Sequence, residues 1–197
     1  MDKIYESVTN FIKLEIVKYH FVFVQNRKRH DIVLDFKSSD FRHAAGLHHV
    51  TDIVIEKNPI KLVDDILNKN PSAITDEKLD KSRKYREVAP LTGSIRERIS
   101  DMRFLEKCLD TSDFMRIYQT QTFGSFIKAD YFIESYCKET ASNIYIFIRK
   151  RDESDNYVMV SYFRKKTPFN GISTYWLLKE KISDTSTNEL YRNSSYK

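Results

Sequence analysis

The segment Asn143-Ile144-Tyr145-Ile146-Phe147-Ile148-Arg149, the cluster Lys150-Arg151-Asp152-Glu153-Ser154-Asp155-Asn156 and the segment Tyr157-Val158-Met159-Val160-Ser161-Tyr162-Phe163-Arg164 follow one another without a break. Aromatic and β-branched residues at period two, split by a polar cluster, predict two strands and a turn. Ile144, Ile146 and Ile148 point one way, and Tyr145, Phe147 and Arg149 the other. In the second strand Val158 and Val160 oppose Tyr157, Met159, Ser161 and Phe163. The aliphatic face is expected to lie on helices. The other face mixes aromatics, a serine and cations, and an antiparallel sheet can leave such a face open.

Working outward, Phe126–Tyr136 and Ile172–Lys179 carry the same period, giving four strands in all with Asn143–Arg149 and Tyr157–Arg164. Upstream, the spacing of Ile4, Val8, Phe11, Ile12 and Ile16 predicts an amphipathic first helix. Tyr19–Gln25 and Asp31–Phe36 read as a small hairpin about a basic turn. Asn58-Pro59 opens a helix to about Asn70, Thr75-Asp76-Glu77 opens another toward Val88, and Ser94 with Glu97 forms a capping box. The helix that box opens carries Ile95, Ile99, Met102, Leu105 and Leu109 in one stripe. The expected fold class is therefore α+β, with a helical N-terminal two-thirds and a small hairpin followed by a four-stranded antiparallel sheet. Residues 1–182 are expected to form a single domain, with a polar tail over 183–197 that frays.

Bulk properties narrow the function classes. The chain of 197 residues is 41% hydrophobic and 31% charged, which suits one globular domain. A net charge of +5 favours an anionic partner such as nucleic acid. Only four glycines occur and no phosphate-cradling glycine motif is present, so nucleotide-binding loops are not expected. Cys108 and Cys137 lack metal or redox spacing and read as reduced, buried thiols. The opening residues show no secretory signal, and the longest apolar run, Phe21-Val22-Phe23-Val24, is far too short for a membrane span. A cytoplasmic protein with no membrane association is expected.

Three of the five histidines fall in Asp40-Phe41-Arg42-His43-Ala44-Ala45-Gly46-Leu47-His48-His49-Val50-Thr51-Asp52. The preceding Ser38-Ser39-Asp40 favours a helix start. At 100° per residue Phe41, Ala44, Ala45 and His48 share a face with Asp52 beside them, Leu47, Val50 and His43 a second, and Arg42 and His49 a solvated third. His43 and His48 are thus set against apolar neighbours, where a histidine is either a satisfied core residue or a functional one. His48 and Asp52, four apart, could share a metal, but no H-E-x-x-H or Cys/His framework accompanies them.

The Phe-x-His-small-small-Gly-Leu-His segment at 41–48, followed at distance by Ala129-Asp130-Tyr131-Phe132-Ile133 and Val160-Ser161-Tyr162-Phe163, resembles the phage-associated branch of the Barnase–EndoU–Colicin–RelE-like (BECR fold) nucleases. The resemblance implies a small α+β ribonuclease, often toxin-like or carried by mobile elements, that cuts RNA without a metal or other cofactor. Its site would lie between the N-terminal helix and the sheet.

Such cleavage needs a base for the 2′-hydroxyl proton, an acid for the leaving 5′-oxygen, and cations for the charge developing on phosphorus. Histidine suits the first two roles, and Lys and Arg the third. The candidate catalytic set is His43 and His48 as acid/base residues, with Lys128, Arg149 and Ser161 holding the scissile phosphate. Arg42, Tyr145, Tyr157, Arg164 and Tyr175 are candidates for contacting the nucleic acid, the tyrosines by stacking on bases. Basic clusters at 27–29, 81–86, 149–151 and 164–166 would add a phosphate-tracking patch if they converge. RNA is the expected partner, with a protein partner or inhibitor as a second. The alternative is a catalytically inactive nucleic-acid-binding or protein-interaction module of the same fold.

Overall fold

A computed structural model describes residues 2–90, 92–119, 127–165, 169 and 171–196. The first residue of the expected 126–136 strand and Lys166 of the last basic cluster lie outside these.

Helix α1 (Lys3–Ile12) is capped by the Asp2 carboxylate, which accepts from the Ile4 amide, and it buries Ile4, Val8 and Phe11. A 3₁₀ turn leads into β1 (Val17–Gln25), which returns as β2 (Lys28–Leu34). Asn26 and Arg27 have φ of 49° and 63°, the left-handed pair of a tight two-residue hairpin turn. Helix α2 is only Phe41–Ala44, and α3 (Pro59–Leu67) starts at Asn58, whose side chain accepts from Ile60 and Lys61. Two short helices, α4 (Asp76–Asp80) and α5 (Arg83–Arg86), replace the single helix expected after Thr75, because Ser82 breaks in and caps the second. The Ser94–Glu97 capping box opens α6 (Ile95–Asp101) as expected, and a 3₁₀ turn at Met102–Phe104 divides it from α7 (Leu105–Asp110).

The sheet corrects the expected fold class. Strands β3 (Phe114–Ile117), β4 (Tyr131–Cys137), β5 (Ser142–Lys150), β6 (Tyr157–Lys165), β7 (Ile172–Ser173), β8 (Tyr175–Ser183) and β9 (Thr187–Arg192) join β1 and β2 in one nine-stranded mixed sheet. Its order is β7-β3-β4-β5-β6-β2-β1-β8-β9. The N-terminal hairpin is therefore no appendage: β1 pairs with β2 on one side and β8 on the other. Among the described residues only the β2–β6 join is parallel, through Leu34 and Tyr157. Local periodicity reveals that a strand exists but not what it pairs with, and this accounts for the error. The tail expected to fray carries β9, an edge strand with mostly exposed side chains, antiparallel to β8.

Strands β7 and β8 are separated by Thr174 alone, yet stand first and eighth in the order. The sheet must curl to bring those positions together. Contacts across the gap agree: the Thr174 hydroxyl donates to the Met115 carbonyl at 2.7 Å, and Lys179 Nζ to the Ser112 carbonyl at 2.8 Å.

One face carries the main core, where Ile144, Ile146, Ile148, Met159 and Tyr162 meet α1, α3, α6 and α7 through Val8, Phe11, Val63, Ile99 and Leu109. The aliphatic face of β5 thus lies on the helices, as its pattern predicts. Its other face is not open. Tyr145, Phe147 and Phe163 form a second aromatic core with Tyr118, Phe132 and Phe169. Gly171 permits this closure, since a Cβ there would stand 2.6 Å from the Phe132 ring.

The β5–β6 register slips at one point, with Phe147 opposite Ser161 and Ile148 opposite Met159. This bulge at Val160 reverses the alternation, so Val158 and Ser161 share the Arg149 face while Met159 and Tyr162 face the helices. The expected grouping of Val158 with the aliphatic face fails for that reason. No helix among the described residues is long and apolar enough to cross a membrane.

Candidate active site

The bulge end of β5–β6 is where the second face opens. Beyond the aromatic core, Arg149, Val158, Val160 and Ser161 line a cleft of about 1070 Å³. The histidine segment forms the facing wall with His43, His48 and His49, Lys128 enters from the approach to β4, and Arg98 comes from α6. All five candidate catalytic residues, His43, His48, Lys128, Arg149 and Ser161, therefore line one space. That space sits between the histidine segment with the start of α6 and the sheet; no residue of α1 lines it, so the expected place between the N-terminal helix and the sheet is corrected.

The histidine segment reaches this geometry by a route the helical wheel does not capture. Helix α2 stops after one turn, Gly46 takes φ of 76°, and a 3₁₀ turn at Leu47–His49 follows. Only glycine adopts that backbone without strain. The reversal places the His43 and His48 rings 4.3 Å apart and those of His48 and His49 3.8 Å apart, so the expected separation onto three faces does not hold. Arg151 fixes the start of the segment. Its Nε donates to Asp35 at 2.6 Å, and its terminal nitrogens donate to both Asp40 carboxylate oxygens at 3.1 and 2.5 Å. Phe41 buries its ring against Phe11 from below.

The electrostatics follow from burial and crowded cations. Desolvation, reinforced by His49 and His43, drives the His48 pKa down to about 4, with a backbone hydrogen bond to Arg42 working the other way. His48 Nδ1 is buried and has no hydrogen-bond partner among the described residues. His43 is lowered by partial desolvation and by Arg42 and Arg149, against Asp40. His49 is lowered by desolvation, then by Arg98 and His43. The three imidazoles are thus held neutral at pH 7 and can accept protons. Anionic charge arriving in the cleft would offset the cations and raise their basicity.

The remaining candidates scatter. Arg42 lies beside the cleft, half-buried, with Nε unpartnered among the described residues. Tyr145 is fully buried in the aromatic core, its hydroxyl 3.4 Å from Glu134, and cannot stack on a base in this structure. Tyr157 is half-buried against Tyr131. Arg164 is tied to Glu97 at 2.9 Å and Asp101 at 3.3 Å. Tyr175 is exposed on β8 and does not line the cleft. Asp52 is no partner for His48: it accepts from the Ser82 hydroxyl and the Arg83 and Lys84 amides, capping α5. Among the described residues no group of three or more His, Cys, Asp or Glu side chains could hold a metal ion. The basic clusters converge in part: Lys84, Arg149 and Arg151 reach the cleft, whereas the hairpin turn at 27–29 does not.

Sequence reasoning missed His49, Arg98 and the anchoring Arg151. Arg98 carried a signal, since it sits three residues after Ile95 and four before Met102, within the buried stripe of its helix. Arg151 carried none, its carboxylate partners being more than a hundred residues away.

Neither a curated protein nor a solved structure matches the chain. A family model does, over residues 3–194: phage-Barnase-EndoU-ColicinE5/D-RelE like nuclease4. With that match spanning all nine described strands and every described wall of the cleft, the chain belongs to this phage-associated nuclease family.

Proposed function

We propose that the protein is a metal-independent endoribonuclease that cleaves RNA by attack of the 2′-hydroxyl on the adjacent phosphorus. The observation that carries this is the meeting of His43, His48, Lys128, Arg149 and Ser161 in one cleft. His43, exposed at the rim and neutral, takes the 2′-hydroxyl proton. Lys128, Arg149 and Ser161 hold the non-bridging oxygens, so that charge developing on phosphorus meets fixed donors. His48, 4.3 Å from His43, takes up a solvent proton once bound phosphate has raised its basicity and gives that proton to the leaving 5′-oxygen. The proposed setting is the cytoplasm, with a protein inhibitor as the natural companion of a toxin-like activity.

Incubation with end-labelled RNA in EDTA tests this. The expected products end in 2′,3′-cyclic phosphate, and wild-type protein that leaves RNA intact from about pH 5 to 8 sinks the proposal. Salt-sensitive RNA binding without cleavage would instead identify the inactive binding module.

A further inference from the structure

We infer that the buried guanidinium of Arg98 is an anion receptor in the cleft, shaped to take the non-bridging oxygens of a phosphodiester. This rests on the nuclease reading for the identity of its ligand, but not for the existence of the receptor.

Arg98 is 5% exposed, yet no carboxylate stands within ion-pair distance of it among the described residues. The two acids nearest in sequence are engaged elsewhere: Glu97 and Asp101 both hold Arg164. Asp40 is taken by Arg151, and Glu87 by Lys84. Arg98 Nε is buried without a hydrogen-bond partner among the described residues, and the side chain lines the cleft. A guanidinium keeps its charge at neutral pH, so a buried one is costly unless an anion answers it. The surroundings are built to keep the group in place. Its Cζ stands 5.7 Å from the Phe163 ring centroid. On another side Gly46 leaves it room, since a Cβ there would lie 2.8 Å from an Arg98 terminal nitrogen. Arg149 presents a second Nε, also buried and unpartnered among the described residues, to the same cleft. Two forked donors on a common cavity, with one of them stripped of every counter-ion, match an oxyanion with several acceptor atoms.

The test uses the intact chain and two probes, inorganic phosphate and the phosphodiester dimethyl phosphate. Nitrogen-15 NMR follows Arg98 Nε during each titration, with R98M and R98K beside the wild type. Saturable shifts at Arg98 Nε, an upward shift of the His49 pKa on binding, and at least tenfold weaker binding in R98M are expected. R98M is also expected to melt higher than the wild type, because it removes an uncompensated buried charge; a structural arginine would give the reverse. If R98M does not fold, the wild-type titration and R98K decide. An Arg98 Nε signal unmoved by both probes overturns the receptor, as does phosphate binding that is equal in wild type and the variants. Phosphate binding at Arg98 in a protein that leaves RNA uncut keeps the receptor and removes the nuclease. RNA cleavage whose kcat/KM is unchanged in R98M does the opposite.

Discussion

His43 and His48 combine neutrality at pH 7 with a cation-rich setting, which makes their removal and their titration separable tests. His43→Ala is expected to lower kcat by about 10²–10⁴-fold with RNA-binding affinity largely kept, as for loss of a positioned proton acceptor. Cleavage that persists at wild-type rate in both His43→Ala and His48→Ala would reject these residues. The pH profile has a definite sign. A base must be unprotonated, and desolvation with the Arg42 and Arg149 charges holds the His43 pKa below 6.5. The acidic limb of kcat/KM should therefore fall below 6.5, and Arg149→Met should move it upward while also weakening substrate binding. A limb above 6.5 in the wild type contradicts the assignment. Gly46 is the other residue-scale test. At φ of 76°, with a Cβ 2.8 Å from Arg98, Gly46→Ala combines backbone strain of about 1–2 kcal/mol with a displaced guanidinium. Both melting temperature and phosphate affinity should drop.

At the scale of elements, the histidine segment is held by charge as much as by packing. Arg151 lies between Asp35 and Asp40, all three largely buried. Arg151→Met leaves two buried carboxylates unanswered and should cost about 3 kcal/mol, read as a lower denaturant midpoint. A second charged cluster ties β1 to its neighbours: His20 donates to Glu180 at 2.9 Å and to Asp31 at 2.8 Å. Burial opposes protonation of His20, but the hydrogen bonds to Glu180 and Asp31 outweigh it and raise the pKa above 6.5. The raised value means that the stabilisation is complete below the unfolded-state value of about 6.5 and fades as pH climbs through the folded-state value. The stability difference between wild type and His20→Gln should accordingly be largest in mild acid and shrink in alkali. A difference that grows with pH would rule out the cation. These elements also mark what the sequence could yield. The Ser94–Glu97 capping box, the Asn58-Pro59 start and the period-two strands were legible because their causes lie within a few residues. The one-turn length of α2, the Val160 bulge and the Arg151 anchor were not, because each is settled by a partner distant in the chain.

For the whole molecule, the five candidate residues could be chosen by residue type, while the frame that brings them to one cleft could not be read. His43 could be named from residue type and Arg149 from its strand face, but the nine-stranded curl depends on pairings such as β1 with β8 that leave no local trace. The same scale governs affinity. The net charge of +5 reaches the cleft in part, through Lys37, Arg98 and Lys128 beside Lys84, Arg149 and Arg151, which each stand against a carboxylate. If about four of these neutralise phosphates of single-stranded RNA, log affinity should fall against log salt with a slope near −3. A slope shallower than about −1 would mean that the cleft does not track the backbone. One further property follows from Thr174 being all that separates β7 from β8. Until residues 175–183 have been synthesised, β1 has an empty edge and the curl has no closing strand. A nascent chain must therefore hold its other strands waiting until residues 175–183 have emerged, and only then can the sheet shut.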